Sequence, residues 1–135
     1  MSIIFDKSLR SVGKPALEKH GFMFDGRRKF SRVFNGKEVG VEFQLGQRFM
    51  EGKFTVNLII GEKTDRLGIV RETHLSRFVN RMFGNFNPWW KGIFLPKDKW
   101  WKLSKSEAQM DRAILEAISC IERHGMPWLY RKTAT

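Results

Sequence analysis

Apolar and polar residues alternate along three consecutive segments of the chain, and this pattern predicts an antiparallel β-meander. The segments are residues 29–34, 38–45 and 54–60. Asn35-Gly36 separates the first two and is well suited to a two-residue hairpin turn, while Glu51-Gly52 marks a turn before the third. Because side chains in a strand point alternately to the two faces of a sheet, one face is apolar. That face is predicted to carry Val39, Val41, Phe43, Leu45, Phe54, Val56, Leu58 and Ile60.

A helical pattern precedes the meander. Apolar residues recur at helical spacing between residues 5 and 17, and Gly21 follows as a C-terminal stop. Gly13 and Pro15 interrupt this helix, because proline lacks a backbone donor and clashes with the preceding turn. We therefore expect a kink, or a short helix that restarts at Pro15. The apolar positions are Phe5, Leu9, Val12, Ala16 and Leu17.

The segment after the meander is less regular. Residues 73–83 follow the spacing of an amphipathic helix, which Gly84 ends. Short extended pieces are expected at residues 90–95 and 99–103, on either side of a turn.

The last helix has the clearest pattern. Ser104 and Glu107 have the spacing of a capping box, and Gly125 with Pro127 is expected to end the helix. The predicted fold class is α+β: an antiparallel meander of three or more strands flanked by an N-terminal, a middle and a long C-terminal helix, in a single domain over residues 1–135. The buried stripe of the last helix is predicted to be Met110, Ile114, Ala117, Ile118 and Ile121.

The chain is strongly basic. Its 135 residues include 25 Lys and Arg against 14 Asp and Glu, a formal net charge of +11. Residues 1–103 hold 20 of these basic residues against 10 acidic ones, so the excess belongs to the body of the domain rather than to a tail. Such an excess favours an anionic partner, either nucleic acid or an acidic protein.

The sequence predicts neither a membrane partner nor a secretion signal. No apolar run reaches the roughly 20 residues that span a bilayer, and the start of the chain lacks a basic segment followed by an apolar stretch. Cys120 is the only cysteine, which excludes an internal disulfide and a multi-cysteine zinc site. We therefore expect a cytoplasmic protein.

No catalytic, metal or cofactor motif stands out. His20, His74 and His124 are isolated and lie near expected helix ends, where a histidine more often caps a helix or faces solvent than catalyses. Spacings typical of zinc sites, nucleophile elbows and phosphate-binding loops are missing. Cys120 lies next to the apolar stripe of the last helix, so we expect it to be buried and inert. We predict no catalytic residue, no metal and no cofactor; an enzyme would need a site assembled from distant residues.

The polar side of the meander is the best candidate for a ligand site. Glu42 and Gln44 share one face of their strand, and Thr55 and Asn57 share the corresponding face of the next. Same-face neighbours in a hairpin lie about 5 Å apart, so these four side chains could form one hydrogen-bonding cluster. Antiparallel sheets commonly show water a polar face, but amides in the middle of strong strands can also read a partner's donors and acceptors.

Two tryptophan doublets lie among lysines, at Trp89-Trp90 and Trp100-Trp101. Neighbouring side chains in an extended segment point to opposite faces, so each doublet tends to bury one ring. The second doublet is the better candidate for contact with an anionic polymer, because stacking on rings beside cations suits single-stranded nucleic acid. The predicted contact residues are Lys97, Lys99, Trp100, Trp101 and Lys102.

Several short motifs are distributed along most of the chain, and the strand Phe54-Thr55-Val56-Asn57-Leu58 is the most specific of them. The others are Gly21-Phe22, Lys29-Phe30, Phe43-Gln44, Trp89-Trp90 and Pro127-Trp128-Leu129. Together these motifs resemble a family of small bacterial proteins, the domain of unknown function 4304. The resemblance implies an α+β fold with helices flanking a meander, and it implies no activity.

These patterns favour a non-catalytic binding module that uses the polar sheet face and its basic surroundings. One alternative is a nucleic-acid-binding module that uses residues 97–102. Another is an immunity-type domain that captures a second protein, by analogy with other small orphan domains. An enzyme with a dispersed site is a third.

Overall fold

The computed structural model describes residues 2–67, 81–82 and 99–134. The predicted helix at 73–83 lies outside these residues except for Arg81 and Met82, which are helical; the extended piece at 90–95 and the Trp89-Trp90 doublet lie outside them entirely. Within the described ranges the helices are α1 (Ser2–Ser8), α2 (Lys14–Glu18), α3 (Glu107–Cys120) and α4 (Met126–Thr133). The strands are β1 (Met23–Phe24), β2 (Lys29–Phe34), β3 (Lys37–Leu45), β4 (Lys53–Ile60), β5 (Lys63–Arg66) and β6 (Trp101–Lys102).

In the described part of the chain, six strands form one antiparallel sheet. Its order is β1-β2-β3-β4-β5, and β6 pairs with β4 at Lys53 and Phe54, beyond the residues that β5 pairs. The hairpin between β2 and β3 turns at Asn35 and Gly36, whose positive φ angles of 52° and 77° are those of a type I′ turn. The predicted α+β class, with its meander and its N- and C-terminal helices, is confirmed.

One face of the sheet, the inner face, packs against the helices and forms the core. The register places Val41 opposite Leu58 and Phe43 opposite Val56, as the alternation predicts. Phe5 of α1 packs on this face, with its ring centroid 5.0 Å from that of Phe54. Burying each such side chain contributes roughly 1.5–3 kcal/mol. The helical residues buried in the same core include Leu9, Leu17, Met110, Ile114, Ala117, Ile121 and Leu129.

The N-terminal helical segment runs through Pro15 by widening one turn. Leu9–Gly13 is a π-helical turn in which the amide of Lys14 donates to the carbonyl of Leu9, five residues back. Pro15 then falls in the first turn of α2, where a missing N–H breaks no intrahelical bond. The predicted restart at Pro15 is therefore close to the observed arrangement.

The C-terminal helical segment also widens at one turn before a proline. The prediction that Gly125 and Pro127 end this helix is wrong. Ile121–Gly125 is a second π-helical turn, and the amide of Met126 donates to the carbonyl of Ile121. Pro127 lies in the first turn of α4, so the chain stays helical to Thr133. Gly125 permits close packing on the sheet, because a Cβ there would lie 3.3 Å from Leu58 Cδ2.

Two further predicted helix boundaries, at Gly21 and Ser104, have different outcomes. At Gly21, which has φ of 86°, the amide of Phe22 donates to Leu17 and that of Gly21 to Glu18. These are the bonds of a Schellman motif, so the predicted stop is confirmed. The capping box at Ser104 is wrong by two residues. Ser106 is the N-cap and accepts from the amide of Gln109, because helix α3 begins only at Glu107.

Arg32 is a cation on the otherwise apolar inner face. Its guanidinium lies 4.1 Å from the ring centroid of Phe34 and donates to the carbonyl of His20 at the end of the α2 segment. A positive group suits the carbonyl end of a helix, and an aromatic face suits guanidinium. Arg32 therefore stabilises the fold and is not available to a partner.

Candidate functional site

Glu42, Gln44 and Asn57 of the predicted polar cluster come together on the outer face of the sheet, the side opposite helices α1 to α4. Asn57 lies directly across from Glu42, and its Nδ2 donates to Glu42 Oε1 at 3.2 Å and to Gln44 Oε1 at 2.8 Å. Arg66 of β5 extends the network, since its Nη1 donates to Gln44 Oε1 at 3.1 Å and to Asn57 Oδ1 at 3.0 Å. The arginine was not part of the sequence prediction.

Burial divides the four predicted residues into two pairs. Thr55 and Asn57 are 0% and 4% exposed, whereas Gln44 is exposed and Glu42 is half-buried. Thr55 takes no part in the cluster, because its hydroxyl donates to the carbonyl of Lys99 at 2.7 Å. Of the four, only Glu42 and Gln44 are therefore accessible from solvent, while Asn57 holds them in place.

The second tryptophan doublet splits across the sheet, as the alternation predicts. Trp101 lies on the inner face, 5% exposed and stacked on Phe54 with ring centroids 5.5 Å apart. Trp100 is half-buried beside Arg66, whose guanidinium lies 5.2 Å from the ring centroid. Trp101 thus has no face left for a base, and Lys97 lies outside the described residues. Lys99 and Lys102 flank the doublet in the described segment.

A groove of about 890 Å³ opens beside Glu42 and Gln44, and it joins the outer face to α1. Three segments wall it: the first helical turns, the loop between β1 and β2, and the end of β3 with the residues after it. Its volume lies within the range of small-ligand sites. Its lining includes Asp6, Arg10, Arg27, Arg28, Lys29 and Gln47.

Two acidic residues of the groove are occupied by internal contacts. Asp6 accepts from Arg28 Nε at 2.9 Å and from Arg28 Nη2 at 3.1 Å, which is a bidentate ion pair. Asp25 Oδ1 accepts from the backbone amides of Arg27 at 2.7 Å and Lys29 at 3.2 Å. These bonds shape the loop between β1 and β2 so that its basic side chains lie beside the groove.

Three cations of the groove have no acidic partner within 4 Å among the described residues: Arg10, Arg27 and Lys29. The π-helical turn carries Arg10, which is exposed. Lys29 lies directly across from Glu42, yet its stem runs over Gly40 instead. The groove therefore offers three cations against the one carboxylate of Glu42, whose only bond in the described region is the amide of Asn57.

The end of β3 adds an open backbone edge to the groove. The amide of Phe43 donates to the carbonyl of Arg28, so odd-numbered residues of β3 direct their backbone groups towards β2. Leu45 continues this alternation, but β2 begins only at Lys29, opposite Glu42. The N–H and C=O of Leu45 consequently face the groove without a bonding partner in the described segments.

A shallower depression borders the groove along α1. It is lined by Ile3, which is strongly exposed, together with Lys7 and Arg10. Lys7 is bound elsewhere, since its Nζ lies 2.7 Å from Glu107 Oε1. Hydrogen bonding and charge attraction by Glu107 raise the pKa of Lys7 above its ordinary value.

Among the described residues, neither a histidine nor Cys120 lines the groove. His20 contacts Glu122 at 2.7 Å across the two helical segments, and Cys120 is buried in the core as predicted. His74 lies outside the described residues, and His124 is half-buried in the second π-helical turn. Among the residues that the structure describes, no three His, Cys, Asp or Glu side chains are grouped to hold a metal ion.

Comparison of the chain with protein-family models, curated proteins and solved structures finds no match. Membership of the domain of unknown function 4304 family therefore stays a prediction. No helix in the described ranges is long and apolar enough to cross a bilayer.

The groove itself was missed by the sequence analysis. Glu42 and Gln44 were identified, but their neighbours across the groove come from segments far away in the chain. One signal was present in the run Arg27-Arg28-Lys29, which follows Gly26 and precedes the first long strand. Three adjacent cations at a loop–strand junction indicate a basic patch. The pattern of strands does not show which of the three is paired with another residue of the protein.

Proposed function

We propose that this protein is a non-catalytic binding module whose groove takes an anionic ligand. The observation that carries the proposal is the set of three cations, Arg10, Arg27 and Lys29, that line one concave site without acidic partners in the described chain. Concave basic sites raise the local concentration of anions and accelerate their association. Glu42, Gln44 and Gln47 add acceptors and amide donors beside the cations. Such hydrogen-bonding groups suit a site that distinguishes between anions rather than one that binds every anion.

In this proposal only part of the predicted polar sheet face contacts the ligand. Gln44 and Glu42 contact the ligand at the groove, and Asn57 and Arg66 hold them in position from behind. A neutral ligand gains little from three arginine and lysine side chains, so anionic chemistry is the stronger inference. The +11 net charge supports the same polarity of partner.

The test is a binding titration with a fluorescently labelled inorganic polyphosphate. The triple variant Arg10→Ala/Arg27→Ala/Lys29→Ala is compared with Lys37→Ala/Lys63→Ala/Arg131→Ala, which removes the same charge at the opposite end of the β2–β3 hairpin. We expect the groove variant to lose at least tenfold in affinity and the control variant to lose less than threefold. Equal losses would show that the groove is not the site.

A protein-capture role of the immunity type is a second candidate, supported by one observation. Phe49 is 99% exposed at the tip of the loop between β3 and β4. Fully exposed aromatic rings are common anchors of protein interfaces. Nucleic-acid binding through residues 97–102 is a weaker candidate, because Trp101 is occupied by the core.

A further inference from the structure

We infer that the groove binds single-stranded nucleic acid, with phosphates on its three cations, a base edge on Glu42 and Gln44, and a second base stacked on Phe49. This inference rests on the proposed function, because it names the anion that the groove takes. It moves the nucleic-acid contact away from residues 97–102.

Phe49 is the first independent observation. It lies two residues after Gln47 of the groove wall, so their Cα atoms are within about 7.6 Å of each other along the chain. Hiding a phenylalanine from water contributes up to about 3 kcal/mol, and this ring forgoes that contribution. An exposed ring beside a basic groove is what base stacking requires.

The loop that carries Phe49 is ordered by its own backbone. Arg48–Met50 is a 3-10 turn in which the amide of Met50 donates to Gln47 at 3.0 Å. Gly46 admits the carbonyl of Met50 so closely that a Cβ would overlap it. Gly52, with φ of 81°, closes the loop and returns the chain to β4. The ring is therefore presented by a closed turn rather than by a loose excursion.

Glu42 provides the second observation. A carboxylate accepts hydrogen bonds from the amino groups of bases, whereas the phosphate groups of a polyphosphate have no such donors. At the same wall Gln44 offers an amide donor, since its Oε1 already accepts from Asn57 and Arg66, and Gln47 offers an amide donor and acceptor. A nucleotide carries both the phosphate that the cations need and the base donors that Glu42 needs.

The open edge of β3 argues in the same direction. A peptide that adds a strand to a sheet needs several consecutive free backbone groups. Within the described residues only Leu45 and the N–H of Gln47 are open here, because Phe43 is bonded to Arg28 and the carbonyl of Gln47 accepts from Met50. This edge is too short for strand addition, but the N–H of Leu45 can serve a phosphate oxygen and its C=O a base amino group.

Single strands fit this site better than duplexes. A duplex is read by an element that enters a groove of the nucleic acid, whereas here the concave surface belongs to the protein. An unpaired strand can direct its phosphates to the cations and turn its bases towards Glu42 and Phe49.

The experiment measures fluorescence anisotropy for a labelled mixed-sequence 8-mer, as DNA and as RNA. The competitors are a polyphosphate and a poly-glutamate peptide of matched charge, a mononucleotide and the unlabelled 8-mer. Phe49→Ala is compared with Phe49→Trp, which keeps a ring for stacking. Because Phe49 is exposed, neither variant should change the melting temperature. We expect Phe49→Ala to weaken oligonucleotide binding roughly tenfold and leave polyphosphate binding unchanged, while Phe49→Trp retains full affinity.

The outcomes separate the two proposals. Binding of the oligonucleotide no tighter than of polyphosphate, or indifference to Phe49→Ala, would overturn the nucleic-acid inference and leave the anion-binding groove intact. Equal competition by poly-glutamate would assign the groove to an acidic protein instead. Competition by a mononucleotide as strong as by the 8-mer would assign the site to free nucleotides. Failure of every anion to bind would overturn the proposed function itself.

Discussion

Asp6 of α1 holds the guanidinium of Arg28 through two hydrogen bonds, at 2.9 and 3.1 Å, although 22 residues separate them in the chain. This pair ties the first helix to the loop before β2 and forms part of one side of the groove. It also explains why only some of the cations in the run Arg27-Arg28-Lys29 are open to a partner. The middle arginine is committed to the fold.

A double-mutant cycle tests that assignment. Both side chains of the Asp6–Arg28 pair are 35% exposed, so solvent screens the attraction and the coupling is limited to about 0.5–1 kcal/mol. We expect Asp6→Ala and Arg28→Ala each to lower the free energy of unfolding in urea, and the double variant to lose less than the sum. Strict additivity would mean that the two side chains do not interact in solution.

Substitution of Gly125 tests the packing of the second π-helical turn. Alanine normally stabilises a helix interior relative to glycine by up to about 1 kcal/mol. Here an added methyl would lie 3.1 Å from Leu67 Cδ1 and 3.3 Å from Leu58 Cδ2, and overpacking a core costs about 1–3 kcal/mol. Gly125→Ala is therefore expected to lower the melting temperature, whereas Glu116→Ala on the exposed face of α3 should leave it within a degree or two. A stabilised Gly125→Ala would show that this contact is loose.

Substitution of Trp101 tests both the volume of its ring and the effect of its unpaired N–H donor. Its ring is buried on Phe54, and its Nε1 is buried without a hydrogen-bond partner in the described part of the chain. Trp101→Ala should cost about 3–5 kcal/mol of unfolding free energy through the cavity it leaves. Trp101→Phe removes the unpaired donor as well as some volume. The loss of unfolding free energy should therefore stay below about 1.5 kcal/mol. Chemical denaturation distinguishes the two, and similar losses for both variants would contradict the account.

Asn57 is expected to matter for stability more than its position on a polar strand face suggests. Its side chain bonds to Glu42, Gln44 and Arg66 while only 4% exposed. Removing a buried amide leaves these partners short of hydrogen bonds, at a cost of about 1–3 kcal/mol. Asn57→Ala should therefore lower the melting temperature by several degrees and Gln44→Ala by much less. Equal effects of the two single variants would contradict this prediction.

The sequence predicted the meander well because its information is local. A period of two predicts which face of β3 and β4 is buried and places Glu42 and Asn57 on the same face, and Asn35-Gly36 predicts the turn between β2 and β3. The π-helical turns escaped prediction because Gly13 and Gly125 followed by proline resemble helix ends. Whether such a segment stops or widens by one residue depends on what the glycine packs against, which for Gly125 is Leu58.

The groove was harder to predict for a related reason. Arg10, Arg27 and Lys29 come together only after α1 packs across the inner face and the β1–β2 loop closes on Asp25. Their availability to a partner also depends on Asp6 forming its ion pair with Arg28 rather than with one of them. Such pairings between distant charges carry no periodic signature, whereas the fate of Trp101 follows from alternation once the pairing of β6 with Phe54 is known.

The most direct test of the groove is a map of backbone amide chemical shifts during titration with a short polyphosphate. We predict that the largest changes fall on residues 26–29 and 45–47, with little change near Lys37 and Lys63 at the far end of the sheet. For the single-stranded oligonucleotide we also predict that the salt dependence of the affinity falls by a log–log slope of about 2 when Arg10, Arg27 and Lys29 are replaced, at about 0.7 per charge. Shifts concentrated at residues 99–102, or spread evenly over the basic surface, would contradict the groove as the binding site.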